Sequence, residues 1–414
     1  MTFIFYSYFF IIFISLLFFP FLLLHLEMKK ISDRVCKIGA SGIRKFFDLA
    51  QKEKDIITLG IGEPDFDVPE KIKDRAIRAI ENSRNHYTSN YGIIELREKI
   101  SKKLRNRNKI FAAPEKEILI TAGSSEGLDL AFRTIVNPDD EILIPSPSYV
   151  SYIPTTLLSD GIPVVVPAYE KDEFRLLPEE IEKRITKRTK CIVLASPNNP
   201  TGAILRRKDI EEIADIAIKN DLFVISDELY EYLIYDNEEQ FSIASIPEMR
   251  ERTITVNGFS KSYAMTGLRL GYVAASEEII EGMMKIHQYG MLCAPSVSQY
   301  AALEFENCEN DVKAMAEIYE LRRNLLYRRL NEIENISAVK PKGAFYIFPN
   351  IKQSRLSSEN FAERLLKKAK VVVIPGNIFG KDGEGYVRIS YSTSTENIEK
   401  ALERIEKFMG NLRK

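Results

Sequence analysis

Short apolar runs rich in β-branched residues recur along this chain, with amphipathic stretches between them. They are EILIT (117–121), EILI (141–144), CIVLA (191–195), LFVIS (222–226), TITV (253–256) and LGYVAA (270–275). Runs this short lack a polar alternate face, so they read as strands covered on both sides, as in a parallel sheet with helices packed above and below. Ile210, Ile213, Ala214 and Ala217 fall on one helical face, with charges at the other positions. The pattern predicts an α/β protein built on a mostly parallel, doubly wound sheet.

The periodicity changes after Cys293. Val312, Met315, Tyr319, Leu326 and Leu330 form a stripe that predicts a connecting helix. A smaller α+β unit is expected beyond it, using AVKPKGAFYIF, VVVIP, YVRISY and a last helix through Ile398, Ala401, Leu402 and Ile405. With 414 residues there is room for more than one core.

Charge excludes some functions. Lys plus Arg (58) nearly cancels Asp plus Glu (59), so no global basic field exists to hold nucleic acid. Three histidines, His25, His86 and His287, leave little material for an imidazole metal site, and no metal is expected. Cys36, Cys191, Cys293 and Cys308 contain no CxxC pair, which fits a reducing compartment and a cytoplasmic location.

The first segment stands apart. Residues 1–26 are uncharged and long enough to span a bilayer, yet no basic n-region or cleavage site accompanies them. Two readings stay open for the extension 1–27: a genuine membrane anchor, or a start assigned too early, with translation beginning at Met28.

Ligands of open α/β sheets bind beyond the carboxyl ends of the strands, which directs attention to four loops. Ala122-Gly123-Ser124-Ser125-Glu126-Gly127 opens a helix, where free backbone N–H groups suit a phosphate; the plain alternative is a tight turn with a serine cap. The loop also spells Gly123-x-Ser125-x-Gly127, the elbow pattern of serine hydrolases, for which His287 is the one later histidine. Ser196-Pro197-Asn198-Asn199-Pro200-Thr201-Gly202 is a rigid turn. Asp227 ends an apolar run, where its charge needs a partner unless it merely caps a helix. Lys261 sits on a loop after TITV; such a lysine is ordinarily solvated, but desolvation beside other cations turns one into a nucleophile.

Taken together, GEPDFDVPE (62–70), HYTSNYGIIELRE (86–98), SPNNPTG (196–202), SDELYE (226–231) and SKSYAMTGLRLGY (260–272) resemble the fold-type I aminotransferases of class I, the branch that includes aspartate aminotransferases. The resemblance runs in order from about Met28 to the C-terminus. It implies a large domain over 69–305 that binds pyridoxal 5'-phosphate and a small domain assembled from 28–68 and 306–414. By resemblance, Lys261 carries the cofactor as a Schiff base and then shuttles a proton. Asp227 pairs with the pyridinium nitrogen, Asn199 and Tyr230 reach O3', and Tyr149 stacks on the ring. Ser124, Ser125, Ser260 and Arg269 hold the phosphate end, joined by Tyr87 of a neighbouring subunit, so a homodimer with shared sites is implied. Arg388, with Asn199, Gly62 and Tyr149, receives the substrate, the guanidinium gripping its α-carboxylate; a structural ion pair is the plain reading of Arg388.

The implied reaction moves the α-amino group of an L-amino acid, whether aspartate, aromatic or similar, to a 2-oxo acid such as 2-oxoglutarate. Ser125 stands where some aspartate-using relatives of this branch place a basic side chain, which leaves dicarboxylate selectivity open. Three rivals remain: a PLP-dependent elimination or synthase reaction on the same frame, a PLP-fold protein that binds without catalysing, and the serine hydrolase.

Overall fold

The computed structural model describes residues 31–40, 42–50 and 54–412. The hydrophobic extension 1–27 lies outside the described residues. Among the described residues no helix is long and apolar enough to cross a membrane. The chain divides into two compact units after Ala40. Of the first, the described part holds one short helix, Asp33–Cys36.

The second unit is organised by a seven-stranded sheet. Its order is Ile118–Thr121, Gly271–Ala274, Thr253–Gly258, Phe223–Asp227, Thr189–Ala195, Glu141–Ser146 and Ile162–Pro167. Every neighbouring pair is parallel except the two made by Gly271–Ala274, which runs antiparallel to both of its neighbours. All six expected strands are present. The expectation missed Ile162–Pro167, a run bounded by Pro163 and Pro167; it occupies the sheet edge, where a strand tolerates missing N–H donors.

Alternation along the strands feeds two cores. Ile142, Ile144, Cys191, Val193, Ile225 and Val256 point to one face, covered by helices Ser124–Ile135 and Glu277–Gly290. Leu143, Ile192, Leu194 and Val224 point to the other, where helix Arg207–Lys219 presents Ile210, Ile213, Ala214 and Ala217. Both faces are therefore dry, which is why the strands show no polar side.

A third core gathers around smaller sheets. Ile57–Thr58 pairs in parallel with Val371–Val372, and Val387–Ser390 lies antiparallel between Ile374–Pro375 and Tyr346–Ile347. Helix Glu309–Glu332 buries Met315, Tyr319, Leu326 and Leu330 of the expected stripe here, with Val312 packing in a neighbouring cluster, together with Arg323, whose guanidinium is held by Asp236 and Glu320. Helix Thr395–Asn411 closes this core with Ile398, Ala401, Leu402 and Ile405. The four cysteines are all free.

Candidate active site

A cavity of about 540 Å³ opens at the carboxyl ends of the parallel strands. Asp227 is the last residue of its strand, and the Lys261 loop follows the strand Thr253–Gly258. Ser124, Ser125, Tyr149, Asn199, Asp227, Tyr230, Ser260, Lys261 and Arg269 all line the cavity, and the other core supplies Gly62 and Arg388. Eleven of the twelve residues named from sequence thus meet. Tyr87 does not: it lies on the surface, 82% exposed.

Lys261 reaches across the cavity, its Nζ donating to the Gly62 carbonyl at 2.5 Å. Burial, with the nearby Arg388 and Arg269 charges, brings its pKa down to about 8 in spite of Glu63 and Asp227. About a tenth of this amine is therefore neutral at pH 7, far more than for an ordinary lysine, as a nucleophile requires.

Asp227 accepts a hydrogen bond from the Tyr152 hydroxyl at 2.7 Å and another from the Leu229 N–H at 3.2 Å. Burial raises its pKa, while these donors and Lys261 oppose the rise. No helix starts here, so Asp227 is not a cap. A carboxylate so placed has spare acceptor capacity for a cationic N–H.

Behind Asp227 lies a buried network. Glu228 accepts from the Ser226 hydroxyl (3.0 Å), the Ser242 hydroxyl and Asn108 Nδ2 (3.1 Å). Glu231 accepts from Lys103, Asn257 (2.8 Å) and Asn108 (2.7 Å). Burial and the Glu231 charge push Glu228 up to about 7; burial also works against ionised Glu231, but Lys103 and Arg107 prevail and lower it.

Arg388 is 2% exposed. Its Nη1 donates to Asn199 Oδ1 (3.1 Å) and its Nη2 to the Gly60 carbonyl (2.6 Å), with the ring of Tyr346 4.5 Å away. Both oxygens are neutral, and among the described residues no carboxylate pairs with it. The structural ion pair is therefore absent, and a buried cation beside an open cavity is left able to take an anion.

At the far end, Gly123 takes φ +81°, and a Cβ there would lie 2.6 Å from Arg269 Nη2. A Cβ on Gly271 would come within 2.5 Å of the Ser124 nitrogen. These glycines let the guanidinium approach the helix start closely, leaving first-turn N–H groups and a cation together. The helix has Gly123 as its N-cap and no side-chain cap, so the serines are not spent on capping. Carboxylate at one end, amine at the side and an anion cradle at the other end match the donor set that pyridoxal phosphate needs.

The hydrolase elbow fails on geometry. His287 is buried and its Nδ1 meets Glu126 at 2.7 Å, so the sole downstream histidine serves that glutamate rather than Ser125.

Sequence reasoning missed Tyr152, Tyr346, Glu63 and Thr266 as cavity residues. Tyr152 lies three residues after Tyr149, in edge-to-face contact with it at 5.6 Å, a spacing that could have pointed to it.

Comparison with known proteins gives the family and the fold. The family profile "Aminotransferase class I and II" matches residues 54–405. The chain is 50% identical over 382 residues to an aromatic-amino-acid aminotransferase of Thermococcus litoralis, covering 92% of this chain and 98% of the relative. It is also 50% identical to an aspartate aminotransferase of Pyrococcus abyssi, covering 91% and 98%. The solved structure of an aspartate aminotransferase from Thermus thermophilus with maleate superimposes with a TM-score of 0.88 at 37% identity, covering 92% of this chain and all of that one. The chain belongs to the class I and II aminotransferase family and is a pyridoxal-phosphate-dependent transaminase of amino acids.

Proposed function

We propose that Lys261 carries pyridoxal 5'-phosphate in this cavity, and that the preferred amino donor has an aromatic or apolar side chain. The observation that carries the site reading is Arg388: a buried cation with neutral partners, lining the same cavity as a lysine whose pKa has fallen to about 8.

Pyridoxal phosphate held by these residues would supply an aldehyde to receive the amino group and a ring to withdraw electron density from the substrate Cα. Asp227 holds a proton on the ring nitrogen, and Tyr152 keeps that carboxylate aimed. Arg388 would fix the α-carboxylate with help from Asn199, Tyr149 would pack against the cofactor ring, and Asn199 and Tyr230 would hydrogen-bond its hydroxyl. Tyr230 donates to or accepts from the Tyr346 hydroxyl at 2.9 Å, which ties it to the substrate side. Ser124, Ser125, Ser260 and Arg269 hold the phosphate. Lys261, as a free amine, would move the proton at Cα.

Among the described residues the lysines and arginines lining the cavity are Lys261, Arg269 and Arg388, each with a task. Within this chain no fourth is present to meet a second carboxylate, which leaves the neighbouring subunit as the other source of one, while Ile43, Leu229 and Tyr346 offer apolar wall. The name of the Thermococcus litoralis relative supports this preference, whereas that of the equally similar Pyrococcus abyssi relative points to aspartate. Support for 2-oxoglutarate as acceptor comes from kinship, not from the cavity. Kinship also supports a homodimer in which Tyr87 reaches the neighbour's phosphate, and a division into 69–305 and a small domain from 28–68 with 306–414.

Half-transamination tests the reading. Phenylalanine or tyrosine should bleach the visible cofactor band faster than aspartate, and borohydride reduction of the unreacted enzyme should leave the adduct on Lys261. A faster response to aspartate overturns the side-chain preference; an adduct at another residue overturns the site. Unchanged cofactor affinity in Tyr87→Phe would sink the shared-subunit assignment.

A further inference from the structure

Glu126 occupies the first turn of the helix Ser124–Ile135, within the loop assigned above to phosphate. A carboxylate there ordinarily sits over the free N–H groups of the helix start and would compete with a phosphate dianion. Here it turns away. Its Oε2 accepts from the Ala122 N–H, and its Oε1 lies 2.7 Å from His287 Nδ1.

His287 comes from a different element, the helix Glu277–Gly290, and is 1% exposed. A carboxylate accepts and does not donate, so the shared proton resides on Nδ1. Its Nε2 is buried without a hydrogen-bond partner, so the contact with Glu126 is this ring's polar engagement in the described structure. The imidazole thus fixes one carboxylate oxygen, the other oxygen fixes Ala122, and Ala122 precedes Gly123 and Ser124, which lie against Arg269 and Gly271.

We propose that His287 is a positioning residue for cofactor binding: by pinning Glu126 it keeps a negative charge off the N–H groups of Ser124 and Ser125 and holds their loop in a phosphate-accepting shape. The inference rests on the reading that this loop holds the phosphate.

The test compares two ligands on the full chain stripped of cofactor: pyridoxal 5'-phosphate and pyridoxal, which lacks the phosphate. His287→Ala should weaken the phosphate ester about tenfold, the scale of one charge-assisted hydrogen bond, and leave pyridoxal unchanged. His287→Asn, whose amide N–H can replace Nδ1–H, should recover part of the loss. Glu126→Ala in the His287→Ala background should add no comparable further loss. Equal weakening of both ligands, or no weakening of either, overturns the proposal, and the Asn variant decides it if the Ala variant does not fold. A wild-type protein that binds both ligands equally well would instead overturn the phosphate site itself, and this inference with it.

Discussion

The Tyr152 hydroxyl donates to Asp227 Oδ2 across 2.7 Å, joining a helix that follows one strand to the end of another, 75 residues later. Tyr152 is 1% exposed, so water cannot readily replace it. Tyr152→Phe should raise the Asp227 pKa further and weaken cofactor retention about tenfold to hundredfold, the range for a hydrogen bond to a charged group. Spectroscopic titration checks this; undiminished retention would remove Tyr152 from the site.

The depressed Lys261 pKa has a kinetic consequence. Only the neutral amine attacks an aldehyde, and with a value of about 8 it is the minor form at neutral pH and the major form at higher pH. Cofactor capture by the stripped protein should therefore accelerate as pH rises and level off above about 8. Stopped-flow absorbance measures the profile, and a rise still continuing near the ordinary lysine range would contradict the burial argument.

Arg388 should separate substrate from cofactor. Replacing it by Gln removes the cation and lets the Lys261 pKa rise, while leaving Asp227 and the phosphate end intact. KM for the amino acid should rise about a hundredfold, as expected on losing a bidentate charged contact, with cofactor affinity nearly unchanged. Arg388→Lys should restore charge but not the fork, and recover only part. Equal effects on both ligands would count against the assignment.

Gly123→Ala combines a left-handed backbone with a Cβ 2.6 Å from Arg269 Nη2. With ψ at 163° this is a conformation open essentially to glycine, so strain of about 1–3 kcal/mol is expected from the backbone alone, and the guanidinium must move. The variant should lose cofactor on gel filtration under conditions where wild type keeps it, with only a few degrees' fall in melting temperature. Full retention would show that the close approach is dispensable.

Glu228 makes stability depend on pH. In the folded protein it keeps its proton up to about pH 7, whereas the unfolded chain releases it near 4.5, so the folded state binds more protons between those values. Stability from this group is present below that window and lost as pH rises through it, by about 3 kcal/mol at most. Urea unfolding at several pH values should show Glu228→Gln declining less than wild type over this interval. Parallel curves would rule the carboxyl out.

The strands were legible because each is buried on both faces, and a run such as CIVLA admits little else. Ile162–Pro167 escaped because its two prolines argue against a strand anywhere except an edge, and edge position is a property of the assembled sheet. Site residues with charge announced themselves: Asp227 and Lys261 at or just past strand ends, and Arg388 among apolar neighbours within a strand, each needed a reason to be there. Tyr152 and Tyr346 gave no such signal, because a buried tyrosine in an apolar setting reads as core until its hydroxyl partner is seen. Tyr346 meets Tyr230 across 116 residues of chain, beyond the reach of any local pattern.

The one reversed strand, Gly271–Ala274, has a mechanical outcome. Going against its neighbours, it begins where they finish: Gly271 lies opposite Gly258 on one side and Thr121 on the other. The polypeptide leaves the sheet at Gly258, passes through Lys261 and returns by way of Arg269 to the same rim. A single excursion thus delivers both the reactive amine and the guanidinium, and a parallel strand in that slot would have carried Arg269 to the opposite edge of the molecule.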